Sequence, residues 1–212
     1  MILDYLFYKQ DVCYICKREQ TKSLICASCL EKFEFLEGRQ EKEFGTVHYP
    51  MFYNNYTREM IKDFKFKGKT YLAKPLALIL KTFIDQSKDL GEVDVITFVP
   101  MARAQEFDRG YNQAELLARE LGKLTGKRVL SLCSKVKKTV EQNKISRAER
   151  GKNLKGTFEV NELDIEPGLR ILVIDDLVTS GETLKEFTKT VKATYDCDLC
   201  YLVLASSQGD YH

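Results

Sequence analysis

Histidine is nearly missing from this chain, with two residues in 212, tryptophan is absent, and the net charge is only +2. His48 and His212 stand in no recognisable constellation, so a Ser-His-Asp or Cys-His hydrolase is not expected. No run approaches the roughly 20 apolar residues of a membrane helix. The N-terminal MILDYLFYKQD has an apolar stretch too short, broken by Asp4 and without a basic leader, to read as a secretory signal. Neither a Walker A pattern nor Gly-x-Gly-x-x-Gly occurs, which disfavours P-loop and dinucleotide sites. Internal repeats and low-complexity tracts are also missing. A near-neutral total means that a polyanionic partner has to be sought in local patches. The expectation is a cytoplasmic protein without membrane insertion, in a reducing compartment.

What the chain does contain is ordinary for a folded protein, 44% hydrophobic and 30% charged residues. That is enough for one main core with a small accessory module. In a reducing compartment its seven cysteines read as thiols or metal ligands before disulfides. Cys13, Cys16, Cys26 and Cys29 form two Cys-x2-Cys pairs, the ligand set of a closed tetrahedral zinc site, with a pair of disulfides as the alternative. A module this short has almost no core of its own, so Zn2+ would supply most of its folding free energy. Cys197 and Cys200 repeat the spacing without a matching pair, and with Cys133 they read as small buried thiols. The charged stretch from Glu31 to Glu43 has no clear core pattern and places a boundary there: a zinc module over residues 1–43 and a main domain over 44–212.

Beyond the boundary, apolar periodicity alternates. FYNNYTREMIKDFKFKGK reads as a strand or turn followed by a helix, and TYLAKPLALILKTFIDQ as a helix with Pro75 in its first turn. VDVITFVP is a short β-branched strand ended by Pro100, and GYNQAELLARELGKLTG is a helix closed by Gly126. Arg128 to Cys133 can form another strand, RILVIDD is a continuous apolar strand, a helix runs from about Gly181 to Ala193, and LCYLVLA is a further strand. Alternation of this kind predicts an α/β fold with a parallel sheet covered on both faces. The polar segment from about 134 to 155 is too long and too charged for a simple connection and reads as a functional loop or lid.

Chemistry concentrates in ILVIDDLVTSGETL. Ile171 to Ile174 are too apolar to face water on either side, so Asp175 and Asp176 should emerge at the carboxyl end of a buried strand, where open parallel sheets bind ligands. Thr179, Ser180, Gly181, Glu182 and Thr183 then lead into a helix whose first N–H groups are unpaired and carry partial positive charge. The pieces ask for a ligand that joins a phosphate to groups a carboxylate can bind, such as the vicinal hydroxyls of a ribose. The bland alternative is an acidic turn that merely caps a helix. After Pro100 the chain carries Arg103 and Arg109, placed either to meet an anionic leaving group or simply as solvated surface arginines.

Two basic stretches remain. Lys135, Lys137, Lys138, Lys144, Arg147, Arg150, Lys152 and Lys155 face only Glu141 and Glu149, a cationic tract that suits a lid over an anion or a salt-dependent contact to nucleic-acid phosphates. Lys65 and Lys67, with Arg58, Lys62 and Lys69, interleave with Tyr53, Tyr56, Phe64 and Phe66, a composition that stacks bases beside a cationic groove. A plain amphipathic helix explains the second cluster equally well.

The acidic loop resembles the signature of the type I phosphoribosyltransferases. That resemblance implies that Asp175 and Asp176 hold the ribose 2′ and 3′ hydroxyls and that Thr179 to Thr183 cradle the 5-phosphate of phosphoribosyl diphosphate. Mg2+ would be shared between ribose and pyrophosphate oxygens. Together with DRGYNQAELLAREL and the run from Thr139 through EQNKISRAERGKNLKGTF, the chain is similar to the ComF family of competence proteins. The pattern is carried by Arg109, Gly110, Asn112, Gln113, Gln142, Arg147, Arg150, Asn153 and Gly156. Met101 and Ala102 depart from it, where Leu and His are common, as does Thr157, where Ala is common. The resemblance implies a phosphoribosyltransferase-like core with an N-terminal zinc module. It also implies a role in DNA uptake during natural transformation, on single-stranded DNA and beside a helicase-like ATPase. The competing reading is an active phosphoribosyltransferase in nucleobase salvage, with its acceptor under a hood built between the knuckle and Val93. No residue announces a base-specific pocket, which favours the DNA-uptake reading over the transferase.

Overall fold

The computed structural model describes residues 12–13, 16–21, 26–30, 35–136 and 156–207. Its elements follow in chain order. A single helical turn α1 (Ala27–Leu30) is followed by β1 (Phe35–Lys42), β2 (Gly45–Phe52) and α2 (Asn55–Phe66). Next come α3 (Ala73–Gln86), β3 (Val95–Phe98), α4 (Arg103–Arg109), α5 (Gln113–Thr125) and β4 (Arg128–Val129). β5 (Cys133–Lys135), β6 (Phe158–Val160), β7 (Leu169–Val178), α6 (Glu182–Lys192) and β8 (Cys197–Ser206) complete the series.

Six strands form one sheet in the order β1-β2-β8-β7-β3-β4. All neighbours are parallel except the hairpin β1-β2 at one edge. The expected α/β class with a parallel sheet is therefore the observed one. Alternation along β7 shows why both faces are dry. Leu172 and Ile174 pack with α2, α3 and α5, whereas Ile171 and Val173 pack with Leu184, Phe187 and Val191 of α6. β8 divides in the same way, Cys200, Leu202 and Leu204 against Leu199, Tyr201 and Val203. A period of two with apolar residues in both phases is what a doubly covered strand requires.

The helix ends follow local chemistry. Asn54 caps α2 by accepting from the N–H groups of Tyr56 and Thr57, and Asn112 caps α5 by accepting from Ala114. Gly126 ends α5 in the left-handed conformation at φ 70°. Pro75 lies in the first turn of α3, where its missing N–H costs no bond.

Three expectations change. The charged stretch assigned to the module boundary contains β1, and the line at residue 43 falls in the turn of its hairpin with β2. Its charges alternate, with Glu37, Arg39 and Glu41 exposed and Gly38, Gln40 and Lys42 half-buried, as suits an edge strand protected from pairing. The ring of Tyr49 lies across Gly38, where any Cβ would collide with it at 2.2 Å. Second, the strand sought over Arg128 to Cys133 is broken in two: Arg128–Val129 joins the main sheet, and Cys133–Lys135 pairs antiparallel with β6 in a separate ribbon. The basic segment thus begins on an ordered strand. Lys137, Lys138, Gln142, Lys144, Arg147, Arg150, Lys152, Asn153 and Lys155 lie outside the described residues. Third, the segment after Pro100, to which the sequence assigned no element, is a seven-residue helix, α4. Among the described residues no helix is long and apolar enough to cross a membrane.

Candidate functional site

The connections on either side of β3 and β7 run in opposite directions. From β3 the chain passes through α5 to β4 at one edge, and from β7 it passes through α6 to β8 on the other side. A crevice outside the carboxyl ends of β3 and β7 is therefore the topological switch point at which open α/β sheets hold ligands. β3 stops at Phe98, opposite Ile174, while β7 continues along β8 as far as Val178. Asp175 and Asp176 are thus in the strand rather than beyond it. They are backed by β8, and past the last bond of Val99 to Ile174 no β3 strand partner stands beside them.

Strand alternation sends the two acids to opposite faces. Asp176, only 7% exposed, shares the phase of Leu172 and Ile174, and its Oδ1 lies 2.8 Å from Lys65 Nζ of α2. Asp175 shares the phase of Ile171 and Val173 and accepts from the Asp176 N–H at 2.8 Å. Burial, and then the charge of Asp176, push Asp175 up to about 7, against the opposing pull of Lys65 and Lys135. Lys65 is held above the usual lysine range, because the charges of Asp176 and Asp175 and the bond to Asp176 outweigh its own burial. Burial lowers Lys135, with Asp175 opposing it.

The raised carboxyl has a sign that can be measured. Between the ordinary value of 3.8 and about 7 the folded protein keeps a proton that the unfolded chain releases. Stability therefore falls as pH rises through that window and stays lower above it. Asp175→Asn removes this penalty. Thermal unfolding should find the variant more stable than the wild type by roughly 1–3 kcal/mol at pH 8, below a ceiling of about 4 set by three units at ~1.4 each, with no gain at pH 4. Equal stability at both pH values would contradict the burial of this carboxyl.

Thr179 and Ser180 form the turn after β7, and Gly181, at φ 83°, is the N-cap residue of α6, with no side chain to satisfy the first N–H groups. Glu182 and Thr183 begin the helix. The Ser180 hydroxyl oxygen is buried with no hydrogen-bond partner, a donor and acceptor left for something else. A roof unseen in the sequence covers the turn: a Cβ on Gly181 would lie 3.4 Å from the Phe44 ring and 3.6 Å from Lys42 Cε, and Lys185 pairs with Glu43 at 2.5 Å.

The two arginines stand at opposite ends of α4, roughly 9 Å apart at 1.5 Å per residue, and do not meet as a pair. Arg103 is exposed at the start. Arg109 donates to Gln113 Oε1 at 2.6 Å and lies 4.9 Å over the ring of Phe66. Lys135 is brought toward the crevice by a parallel bridge between its residue and Ala102. The α2 lysines are divided by their helical phase: Lys65 turns inward to Asp176, and Lys67 turns outward to Asp63 at 2.6 Å, which also holds Lys69 at 2.6 Å.

Away from the crevice, the sulfurs of Cys13, Cys16, Cys26 and Cys29 all lie within 4.8 Å of one another. A four-thiolate zinc with bonds of ~2.3 Å has sulfur-to-sulfur edges of roughly 3.8 Å, so a small contraction would complete it. The Cys26 N–H donates to Cys13 Sγ at 3.4 Å, and the backbone N–H groups of Glu19 and Arg18 pull the Cys16 thiol down. Burial pushes the Cys26 and Cys29 thiols up, so a cation is needed to keep all four ionised. Cys13, Cys26 and Cys29 join the core cluster of α2 and α3, which seats the knuckle on the sheet's helical face.

Over 195 residues the chain is 26% identical to Competence protein F of Haemophilus influenzae, covering 87% of this chain and 85% of that protein. It is 28% identical to Competence protein ComFC of Bacillus subtilis, over 82% of this chain and 68% of that one. With the DNA utilization protein YhgH of Salmonella typhi it shares 31% identity over 61% of this chain and 58% of that one. No family model matches the chain. Among solved structures, an adenine phosphoribosyltransferase aligns over 65% of this chain and 71% of its own, at 14% identity and a TM-score of 0.44. The resemblance to the ComF family carried by the sequence motifs is borne out: over most of its length this chain is a homologue of proteins named Competence protein F and ComFC.

Proposed function

We propose that the crevice between β3 and β7 binds phosphoribosyl diphosphate with Mg2+, and that this binding serves DNA uptake in natural transformation, in the cytoplasm and beside a helicase-like ATPase. One observation carries the reading: a half-buried and a buried carboxylate at the switch point run directly into a hydroxyl-rich turn at a helix N-terminus. Asp175 and Asp176 meet the ribose hydroxyls. Thr179, Ser180, Gly181, Glu182 and Thr183 surround the 5-phosphate, where the buried Ser180 hydroxyl finds its missing partner. Arg103 and the tract from Lys135 onward serve the diphosphate. Mg2+ enters on the ligand's own oxygens, since it retains several waters and is usually held through phosphates plus one or two carboxylates. The four cysteines hold one Zn2+ in a separate structural module. The competence role rests on the names of the relatives.

Calorimetry with phosphoribosyl diphosphate and Mg2+ tests the core of this reading, which fails if no heat of binding is seen at millimolar ligand. Pyrophosphate release with a panel of nucleobases separates binding from turnover, and release above background would establish the salvage transferase instead.

A surface beside the crevice supports the single-stranded DNA part. Phe107 is 89% exposed and Phe66 is 66% exposed, with the Arg109 guanidinium over the Phe66 ring. α4 buries none of its residues. Exposed rings with a neighbouring cation are what unstacked bases use. Phe66→Ala with Phe107→Ala should lower affinity for labelled single-stranded DNA at least about thirtyfold at low salt, at about 1–3 kcal/mol for each of two stacked bases, while phosphoribosyl diphosphate affinity is unchanged. Equal DNA affinity would remove these rings from the interface.

A further inference from the structure

Lys65 looked in the sequence like one of several nucleic-acid lysines, but its place in the fold is different. We propose that Lys65 is a positioning residue of the ribose site: projecting from α2, it holds one oxygen of the Asp176 carboxylate so that the other oxygen is left for a sugar hydroxyl. The proposal rests on the reading of the crevice as a phosphoribosyl diphosphate site.

Three observations support it. The first is the contact itself. Lys65 Nζ and Asp176 Oδ1 are 2.8 Å apart, with side chains only 22% and 10% exposed. Water screens such a pair poorly, and either charge alone would be strongly disfavoured there. The second is the anchoring of the lysine's backbone. The carbonyl of Phe64 accepts from the Tyr111 hydroxyl, and that of Lys65 accepts from Gln113 Nε2 at 3.5 Å. Gln113 is itself held by Arg109. The end of α2 is thus tied to the start of α5, and Lys65 is presented to β7 from a fixed point.

The third is the asymmetry of the acidic pair. Two adjacent carboxylates in a poorly hydrated strand end repel each other, and Asp175 is the one pushed up. The charged groups facing the pair are Lys65 from α2, Lys135 from β5 and, through its repulsion of Lys65, Arg109 from α4. Of these, only Lys65 is in ion-pair contact among the described residues, and it touches Asp176 alone. The lysine thereby makes the two acids unequal. Asp176 is fixed as its partner, and Asp175 is left as the acid whose proton follows its surroundings as a ligand arrives.

The test compares wild type, Lys65→Met and Lys65→Arg in calorimetric titrations with phosphoribosyl diphosphate and Mg2+ from pH 5.5 to 8.5. It adds 13C carboxyl titration of the ligand-free proteins by NMR. Lys65→Met should bind about tenfold more weakly at pH 7, with the pH midpoint of binding moved upward by about one unit, because carboxylates without their counter-charge hold protons to higher pH. Lys65→Arg should restore the midpoint. The NMR midpoint of the acidic pair should move in the same direction with no ligand present. Weaker binding at every pH with an unmoved midpoint would mean that Lys65 touches the ligand directly, and would overturn the proposal. So would an unchanged NMR titration in Lys65→Met. If wild type binds no phosphoribosyl diphosphate, the parent reading falls, and the NMR arm still decides whether Lys65 sets the titration of the acidic pair.

Discussion

Replacing both Asp175 and Asp176 by Asn is expected to lower affinity for phosphoribosyl diphosphate at least a hundredfold. Each carboxylate accepting from a ribose hydroxyl contributes about 1.5–3 kcal/mol as a charged hydrogen bond, so two lost together reach roughly 3–6 kcal/mol. Asn keeps the size of the side chain and one acceptor oxygen, which separates loss of charge from loss of shape. The effect on stability is mixed. Relief of the strained Asp175 carboxyl favours the variant, whereas Lys65 is left as a buried cation without its counter-charge. Near-ultraviolet circular dichroism should therefore show native packing, with a Tm shift in either direction of a few degrees. Binding within threefold of wild type, measured by calorimetry on the folded variant, would remove the acidic pair from the ligand site.

The second large effect concerns the knuckle. Cys26→Ser is expected to reduce bound zinc well below one per chain and to destabilise the protein by about 3–5 kcal/mol, the size expected when a buried charged cluster loses one member. The reason it reaches the whole domain is packing. Cys13, Cys26 and Cys29 lie in the same cluster as Met60, Ile61 and Phe64 of α2, so a released knuckle uncovers apolar surface on α2 and α3. The pocket beside it, lined by Lys17, Tyr56, Met60 and Asp63 among others, would open with it. Elemental analysis with thermal unfolding measures both quantities. A metal-free wild type whose unfolding is indifferent to chelator would show that the four thiols need no ion.

Two expectations held for local reasons. The apolar run Ile171 to Ile174 forms a strand because both of its phases must be covered, and it carries its acids to a sheet end wherever the rest of the chain goes. Cys-x2-Cys brings two sulfurs together within a single turn, and the two turns then need only meet. Failures came from partners distant in sequence. The stretch around Glu37 to Lys42 has too few apolar residues to announce a strand, and it becomes one because the edge of β2 offers it a ladder of hydrogen bonds. Arg109, expected either beside an anionic leaving group or as a solvated arginine, lies against Phe66 and Gln113, a contact the sequence spacing did not announce.

By itself, then, the sequence determined most element types, the parallel α/β class, the four-sulfur cluster and the acids that follow the apolar core of β7, because hydrogen bonding and apolar period act over a few residues. Only the tertiary structure decided that Asp176 faces Lys65 and that Asp175 lies toward Lys135. It likewise decided that the β1-β2 hairpin tip, Lys42 and Phe44, roofs Gly181. Those pairings follow from the parity of β7 and the direction of each crossover, which place residues far apart in the chain against one another in a poorly screened interior. The same two acids that the sequence marked as equivalent are made unequal there, by burial and by the charge each one meets.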